Sequence, residues 1–308
     1  MRTLVVGMGI QGRKRMDVAG EDAVASIDPV VADANYGSVE DIPLDSFDGA
    51  LVCTPDQEKL AVLTYLIEHG KHVMVEKPFP ALAAVDIDQM AALARSTGAA
   101  CYTAYNHRFE PHIAGLKDVL DSGEIGSLYT ARLFYGNGTA QDVKNSPWRN
   151  NGSGEWHDLG SHLLDMTLFL FGTGIGRFKS WSAGQFETQC FDHAVFGSNG
   201  QPSVQLEATY LSWRNTFTLD VYGSLGSAHI NGLCKWGPST LTVRRRVLPS
   251  GVPHEEVQTL ERPDPTWEEE YDYFKGLCKT GGTNLHNDRW INTILEEITP
   301  VTSPRLSQ

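Results

Sequence analysis

Three polar side chains in the middle of the chain have a spacing that suits acid–base chemistry. Asp158, His162 and Asp165 stand at positions i, i+4 and i+7, so a helix would carry all three on one face. Histidine exchanges a proton near neutral pH, and a neighbouring carboxylate would orient the ring and stabilise its protonated form. A structural role is the alternative, with Asp158 capping the helix and His162 hydrogen-bonded in the core. A metal site that adds His157 is possible by residue type, but His157 would point away from His162, and we predict no metal.

A glycine-rich segment near the beginning of the chain could hold phosphate groups. Gly7-Met8-Gly9-Ile10-Gln11-Gly12 follows a short apolar run and precedes a helical stretch. Gly7 would allow a tight turn, Gly9 would let the backbone approach a pyrophosphate, and Gly12 would let helix and strand pack closely. A purely structural turn is the alternative, because glycine-rich turns are common. The order of strand, loop and helix favours a dinucleotide site.

Asp28 would select the form of the dinucleotide, because it follows the second predicted strand. Its carboxylate could accept hydrogen bonds from both hydroxyls of an adenosine ribose and would repel a 2′-phosphate. Arg13, Lys14 and Arg15 lie nearby in the sequence and could tolerate that phosphate. We therefore expect NAD as the cofactor, with NADP as the alternative.

A lysine stands at the end of another predicted strand. Glu76-Lys77-Pro78 closes an apolar segment, and open α/β sheets bind ligands at the carboxyl ends of their strands. Pro78 biases Lys77 towards an extended conformation and so would fix the direction of the ammonium group. A surface lysine paired with Glu76 is the alternative.

The first third of the chain predicts a scaffold for these residues. Short apolar runs alternate there with helical stretches, which is the pattern of a parallel sheet with crossover helices. The predicted strands are Thr3–Val6, Ala23–Ile27, Gly49–Cys53, His72–Val75 and Ala99–Ala104. The predicted helices are Arg13–Val18, Gln57–His69 and Ala81–Ser96.

After about residue 110 successive strands with few helices predict an α+β domain with an open, mostly antiparallel sheet. The predicted strands are Leu128–Tyr135, Phe178–Ala183, Val204–Leu211, Thr216–Tyr222 and Thr240–Val247. The predicted helices are Pro111–Asp121, Trp267–Cys278 and Asp288–Ile298. We expect an α/β protein with a Rossmann NAD(P)-binding domain at residues 1–106 and an α+β substrate-binding and oligomerisation domain at residues 107–308.

Further motifs, taken in order, resemble those of a known family. They are Cys53-Thr54-Pro55, the segment 70–78 that ends in Glu76-Lys77-Pro78, Tyr105-Asn106-His107-Arg108-Phe109, Gly123-Glu124-Ile125-Gly126, and the segment from Trp156 to Asp165. Together with the glycine loop they resemble the glucose–fructose oxidoreductase, inositol dehydrogenase and rhizopine-catabolism oxidoreductase family. The resemblance covers most of the chain to about residue 172 and weakens afterwards.

The resemblance implies a site for each part of an oxidoreductase reaction. Beside the glycine loop and Asp28, it implies cofactor contacts from Thr54, Pro55, Glu76, Lys77 and Asn106. It also implies that Lys77, Asp158 and His162 surround a hydroxyl-bearing carbon of a polyhydroxylated substrate, such as a sugar or cyclitol, that exchanges a hydride with the nicotinamide. Whether Lys77 or His162 is the formal base stays open. Two other functions also stay open: a sensor of the nucleotide without catalysis, and a redox-neutral sugar-modifying enzyme.

Substrate recognition is predicted by position alone for a few polar and aromatic residues. These are Asn106, Arg108, Trp148, Arg149 and Trp156, and for each tryptophan packing is the better interpretation. The chain departs from the family pattern at Lys59, where the family commonly has a histidine, and at Gly152-Ser153-Gly154, where it has three glycines. The segment between Asp28 and Gly49 is also short, so the adenosine pocket could differ.

Composition narrows the partners. The net charge of −13 disfavours nucleic acid and anionic membranes. The five scattered cysteines suggest neither a disulfide framework nor a zinc site. The chain has no signal-peptide pattern, so we expect a cytoplasmic protein. An uncovered sheet face in the second domain would expose apolar surface, which together with the resemblance predicts a homodimer or homotetramer.

Overall fold

The computed structural model describes residues 1–79, 84–146, 149–150 and 152–300. The chain forms two compact units. The first contains residues 1–106 and 265–292, and the second contains residues 107–264 and the chain from residue 293. The predicted second domain, residues 107–308, thus includes a segment that the structure assigns to the first unit.

The described part of the chain contains the predicted strands and helices in order, together with further elements that were not predicted. The strands are β1 Thr3–Val6, β2 Ala23–Ile27, β3 Gly49–Val52, β4 His72–Glu76, β5 Cys101–Ala104, β6 Leu128–Gly136, β7 Phe178–Gly184, β8 His193–Ser198, β9 Ser203–Thr209, β10 Thr216–Gly223, β11 Gly226–Asn231, β12 Ser239–Arg245 and β13 His254–Leu260. The α-helices are α1 Ile10–Ala19, α2 Asp56–Glu68, α3 Ala84–Thr97, α4 Pro111–Asp121, α5 Ala140–Lys144, α6 Glu155–Phe171, α7 Thr266–Cys278 and α8 Leu285–Ile298.

The first unit is a doubly wound α/β fold. Its sheet is parallel, as the alternation of strands and helices predicts, and its strand order is β2-β1-β3-β4-β5. One face packs against α2 and α3, and the other packs against α1 and α7, where Tyr271 and Phe274 contact the cluster of Val5, Leu51 and Met74. Because α7 covers one face of this sheet, residues 265–292 belong to the first unit even though they follow the second unit in the chain.

The second unit contains an eight-stranded sheet in the order β13-β12-β11-β10-β6-β9-β8-β7. All its neighbouring strands are antiparallel except β6 and β9, which are parallel. Helix α6 packs on β6, β8 and β9, and α4 packs on β11 and β12. The predicted open, mostly antiparallel sheet is therefore confirmed.

Three strands of this sheet were not predicted: β8, β11 and β13. The sequence of β13, His254–Leu260, is mostly polar and largely exposed, so it carries no hydrophobic pattern. It becomes a strand by pairing with β12 along its whole length. The predicted strands 204–211 and 240–247 also extend two residues too far, because Thr209 and Arg245 end them.

The side chains on the uncovered face of this sheet are mostly polar. Alternation directs Leu133, Leu206 and Leu219 into the core, while Arg132 and Glu207 lie at the intervening outward positions. Trp181 and Tyr222 are exposed on β7 and β10, so exposed apolar surface is limited to part of this sheet, and the predicted homo-oligomer stays a prediction. Within the described residues, no helix is long and apolar enough to span a membrane.

Candidate active site

The glycine loop lies between β1 and α1, as predicted. Gly7 has a φ of +91°, and a Cβ atom there would lie 2.8 Å from the carbonyl carbon of Cys53. A Cβ atom at Gly12 would lie 1.8 Å from the carbonyl oxygen of Gly7. The fold itself therefore requires glycine at both positions.

Gly9 is different, and the difference points to a ligand. Its φ of −69° suits any residue, and no described protein atom lies within 4 Å of a Cβ atom built there. The fold does not require glycine at this position, but a pyrophosphate approaching the backbone would. The first turn of α1 offers unpaired N–H groups and contains no acidic residue, so the loop fits the phosphates of a dinucleotide.

Asp28 is held in place as an anion beside this loop. Its carboxylate accepts hydrogen bonds from the backbone N–H groups of Met8, Val30 and Val31, at 2.8, 2.9 and 3.0 Å. Partial burial opposes ionisation, but these three bonds and the charge of Arg13 hold the pKa of Asp28 below its usual value. A fixed negative charge at the end of β2 suits a ribose diol and disfavours a 2′-phosphate.

The basic residues that could have tolerated a 2′-phosphate are partly committed elsewhere. The guanidinium of Arg15 is buried, donates 2.7 Å to Glu76 and 2.8 Å to Glu270, and stacks on Trp267. The expectation that Arg15 could accommodate NADP is therefore wrong. Arg13 forms an exposed pair with Asp33 at 3.3 Å.

Lys59 holds the backbone around Lys77. Its buried ammonium group donates to the carbonyl oxygens of Glu76 and Pro78, at 2.8 and 3.0 Å, and to the carboxylate of Asp56. The departure at Lys59 thus has a structural consequence, since this cation holds the segment that carries Lys77. Lys77 itself follows β4 and is partly exposed, with a cis peptide bond to Pro78.

The remaining predicted cofactor residues of the first unit have separate environments. Thr54 lies beside Gly7, and its buried hydroxyl has no hydrogen-bond partner within the described residues. Pro55 precedes the first turn of α2. The amide of Asn106 donates to the hydroxyl of Thr266 at 2.7 Å and so holds the beginning of α7.

In the second unit, Asp158, His162 and Asp165 all lie on α6, as predicted. The helix begins at Glu155 after Gly154, which has a φ of +56°, so the alternative in which Asp158 caps the helix is wrong. Asp158 is partly exposed, and its carboxylate lies 3.2 Å from the hydroxyl of Tyr210 and 3.5 Å from the guanidinium of Arg149. The neighbourhood of Asp158 therefore combines a carboxylate, a phenol and a cation.

His162 has a partner that the sequence did not predict. Its Nδ1 lies 3.0 Å from Nδ1 of His107, and Nε2 of His107 lies 2.9 Å from Nζ of Lys235. Both histidines are buried, and the ring of Tyr135 lies against them with centroids 5.4 and 6.0 Å away. His107 belongs to the motif at residues 105–109, but no local pattern marks Lys235, because only the fold brings residues 107, 162 and 235 together.

Arg108 and Asp165 form a structural ion pair, in which Asp165 is buried, rather than a proton-transfer pair. The guanidinium donates to both carboxylate oxygens of Asp165, at 2.8 and 2.6 Å. Burial raises the pKa of Asp165, and the charge and hydrogen bonds of Arg108 oppose this shift. Direct binding of substrate by Arg108 stays a prediction, since the described bonds tie this side chain to α6.

Of the two predicted tryptophans, Trp156 lies within the residues that the structure describes. Trp156 is fully buried and its ring packs against Phe196 at 4.9 Å, which confirms the packing interpretation. Trp148 lies outside the described residues.

A doubly wound sheet with a glycine loop, joined to an α+β unit that holds a buried histidine cluster, defines a dinucleotide-binding oxidoreductase. Residues 1–105 match the model described as "Oxidoreductase family, NAD-binding Rossmann fold", and residues 113–229 match the "GFO/IDH/MocA C-terminal domain". The chain therefore belongs to the Gfo/Idh/MocA family of NAD-binding oxidoreductases. The resemblance, the fold class and the expected NAD cofactor are confirmed.

Similar proteins include several oxidoreductases. The chain is 30% identical to the uncharacterized oxidoreductase YdgJ of Escherichia coli K12 over 188 residues. This aligned segment covers 59% of this chain and 53% of that protein. It is 28% identical over 252 residues to trans-1,2-dihydrobenzene-1,2-diol dehydrogenase of Mus musculus, which is 79% of this chain and 69% of that protein. The chain thus spans between about half and two thirds of the length of these relatives.

Solved structures share the fold at lower sequence identity. Levoglucosan dehydrogenase in complex with NADH superposes with a TM-score of 0.80 at 18% identity, over 96% of this chain and 95% of that one. An oxidoreductase from Agrobacterium radiobacter in complex with NAD+, L-tartaric acid and magnesium gives a TM-score of 0.78 at 19% identity, over 96% and 94%.

Proposed function

We propose that the protein transfers a hydride between the nicotinamide of NAD and a hydroxyl-bearing carbon of a sugar, sugar derivative or cyclitol. The observation that carries the proposal is the buried pair of His107 and His162, of which His162 lies on α6, in a chain whose first unit is an NAD-binding domain. The bound cofactor supplies the hydride acceptor or donor. The side chains of the protein must then bind the alcohol and move its proton.

The roles proposed for the side chains follow from their chemistry. His162 accepts the hydroxyl proton as the hydride leaves, because an imidazole can exchange a proton near neutral pH. Lys77 stabilises negative charge that develops on the same oxygen. Asp158 binds a substrate hydroxyl, with its carboxylate oriented by Tyr210 and Arg149. The apparent pKa values of the reaction belong to these groups jointly, because interacting sites titrate together.

The residues proposed to hold the cofactor are those of the first unit that fit it best. The loop 7–12 would bind the pyrophosphate, with the close approach at Gly9, and Asp28 would bind the adenosine ribose. The hydroxyl of Thr54, which has no hydrogen-bond partner among the residues that the structure describes, is a further polar contact available beside the loop. Pro55, Glu76 and Asn106 complete the proposed set.

The proposed substrate class draws on the names of the relatives. One relative acts on a dihydrobenzene diol, and another, from Bacillus subtilis, is named glucose-6-phosphate 3-dehydrogenase. Both names describe a secondary alcohol on a six-membered ring with another hydroxyl nearby. A cyclic polyol is therefore the first substrate class to test. By its resemblance to the family, the protein is also proposed to assemble as a homodimer or homotetramer.

The proposal is tested with a panel of aldoses, sugar phosphates and cyclitols, each with NAD and with NADP, followed by the absorbance of the reduced nicotinamide. We expect net formation of NADH with a cyclic polyol and little or none with NADP. Product formation without net NADH would instead indicate a redox-neutral reaction. No turnover of any member of the panel would contradict the proposed substrate class.

The role of His162 is tested with His162→Asn on the best substrate of the panel. Asparagine keeps a polar atom near the position of Nδ1 but has no ring nitrogen to accept the proton. We expect kcat to fall by ~10²–10⁴-fold, because positioned acid–base groups typically contribute that much, while NAD affinity is unchanged. His254→Asn, on the exposed strand β13, is the matched control. Full activity of His162→Asn would show that the assignment is wrong.

A further inference from the structure

Three basic side chains form a continuous hydrogen-bonded chain within the second unit. Nζ of Lys235 lies 2.9 Å from Nε2 of His107, and Nδ1 of His107 lies 3.0 Å from Nδ1 of His162. His107 is 2% exposed and His162 is 7% exposed, whereas Lys235 is only partly buried. The chain therefore links a buried histidine to a more accessible amine.

The directions of these hydrogen bonds follow from the chemistry of the three groups. An ammonium group has donors and no acceptor, so a charged Lys235 donates to Nε2 of His107. His107 then carries its own proton on Nδ1 and donates it to Nδ1 of His162. His162, which accepts at Nδ1, carries its proton on Nε2. In this state the outer nitrogen of His162 can donate a proton but cannot accept one.

Loss of one proton from the chain reverses every bond. Nδ1 of His162 then donates to His107, Nε2 of His107 donates to a neutral amine at Lys235, and Nε2 of His162 becomes an acceptor. Only this second state can take a proton from an alcohol. The state of Lys235 thus decides whether His162 acts as a base or as an acid.

We propose that Lys235, His107 and His162 form a proton-transfer chain in which Lys235 finally holds the proton released by alcohol oxidation, an inference that rests on the proposed function. As the hydride leaves the carbon for the oxidised nicotinamide, the hydroxyl proton moves to Nε2 of His162 and the carbonyl forms. The Nδ1 proton of His162 moves to His107, and the Nε2 proton of His107 moves to Lys235. The alcohol thus loses one proton, and the amine of Lys235 gains one and becomes an ammonium group. Reduction of the carbonyl reverses each step.

Both ends of the chain are fixed by buried contacts. The carboxylate of Glu110, three residues after His107, accepts a hydrogen bond from the backbone N–H of Cys234 at 3.0 Å and a bond from its thiol at 3.3 Å. Glu110 thus anchors the turn that contains Lys235. Arg108 and Asp165 fix the segment of His107 to the helix of His162 in the same way.

Other titratable and charged groups of the second unit surround the chain and will influence its proton affinity. On β6, Tyr135 lies beside both rings, and on α6 Asp158 stands one turn before His162. Near Lys235, burial and the carboxylates of Glu110 and Asp264 raise the pKa of Cys234 to about 12, while Arg262 opposes this shift.

The pH dependence of oxidation follows from this arrangement. An unperturbed lysine titrates at about 10.4 and an unperturbed histidine at about 6.5. Because the base form requires a neutral Lys235, the oxidation rate should rise with pH well above the range of an isolated imidazole. Reduction should proceed at neutral pH, where the chain presents a proton at Nε2 of His162.

Two substitutions separate proton transfer from a structural role of the charge. Lys235→Met removes the cation, so the two histidines can adopt the base form without deprotonating an amine. We expect the midpoint of the oxidation profile to move to lower pH by about one unit or more, which is a tenfold change in the proton affinity of the chain. Lys235→Arg keeps a permanent cation that does not lose its proton, so we expect oxidation to stay low across the accessible pH range.

The outcomes are opposite for a structural role. If Lys235 merely supplied charge or packing, arginine would preserve more oxidation activity than methionine, and the profile midpoint would not move. Either result overturns the proposal. Lys179→Met, on the exposed strand β7, is the matched control and should leave the profile unchanged.

A measurement on the free protein keeps this inference separate from the proposed function. With ¹⁵N-labelled histidine, NMR at pH 7 should show His107 protonated at Nδ1 and His162 protonated at Nε2. This pattern should change in Lys235→Met and persist in Lys179→Met. Its presence without any polyol turnover would support the hydrogen-bonded chain while the proposed function fails, and the opposite tautomers in an active enzyme would overturn the chain alone.

Discussion

Arg15 is a buried cation of the first unit that is paired with two carboxylates, and its removal should destabilise that unit. Its guanidinium is 2% exposed and donates to Glu76 and Glu270 at 2.7 and 2.8 Å, while Trp267 stacks 4.2 Å from it. Burial opposes its charge, but the two carboxylates outweigh this effect and raise the pKa of Arg15. Arg15→Met keeps an unbranched apolar side chain and removes the guanidinium group with its charge and its donors.

The magnitude follows from the carboxylate that this substitution leaves behind. Glu270 is fully buried, so Arg15→Met leaves it without its cation, and breaking such a pair typically costs ~3–5 kcal/mol. Burial already raises the pKa of Glu270 to about 7 with Arg15 present. An acid whose pKa is raised in the folded state destabilises it increasingly as pH rises above the unfolded pKa of about 4.3. The loss in Arg15→Met should therefore be larger at pH 8 than at pH 5.

Urea unfolding at these two pH values measures the effect. Arg13→Met, on the same helix, removes an exposed pair with Asp33 and should leave the free energy of unfolding almost unchanged, because water screens exposed charges. Adding Glu270→Gln to Arg15→Met should restore stability, because it removes the unpaired charge. The reasoning is refuted if Arg15→Met is no more destabilising than Arg13→Met, or if its effect does not depend on pH.

Two further predictions concern the glycine loop and the ion pair of Arg108 and Asp165. Gly9→Ala should leave the free energy of unfolding within about 0.5 kcal/mol of wild type, because no described atom contacts the new methyl group. It should weaken NAD binding about tenfold or more, because the methyl group would stand where the pyrophosphate approaches the backbone. Gly12→Ala should lower both the free energy of unfolding and the affinity for NAD, since its methyl group would collide with the backbone of Gly7. NAD affinity is measured by calorimetry, and equal affinity in Gly9→Ala and wild type would contradict a pyrophosphate at Gly9. Arg108→Met should lower the free energy of unfolding by ~3–5 kcal/mol, measured by thermal unfolding, because Asp165 is left buried without its cation. Adding Asp165→Asn to Arg108→Met should recover part of that loss. No recovery would contradict a structural role of this ion pair.

The sequence was a good guide wherever the signal is local. The alternation of strands and helices predicted the parallel sheet, and the spacing of Asp158, His162 and Asp165 predicted that one helix carries all three. Each of these signals extends over a few residues, and backbone geometry alone translates it into structure. The polar strand β13 had no such signal, because its regular structure comes from pairing with β12.

The assignment of partners was beyond the sequence. Position suggested a shared role near the substrate for Arg108 and a phosphate-tolerating role for Arg15, but the structure ties each of them to buried carboxylates. The placement of α7 on the first sheet could not be read either, since its amphipathic pattern would suit any apolar surface. Such choices depend on which distant segments the folded chain brings into contact.

By itself, the sequence determined a dinucleotide-binding loop, an acidic residue after the second strand, and a helix that presents a histidine between two aspartates. These features depend on neighbours within one or two turns, so residue type and spacing suffice. Only the tertiary structure decided that His107 contacts both His162 and Lys235, that Lys59 holds the backbone around Lys77, and that Arg15 is unavailable to a phosphate. Those contacts join residues up to hundreds of positions apart, and the burial of the surrounding core fixes them.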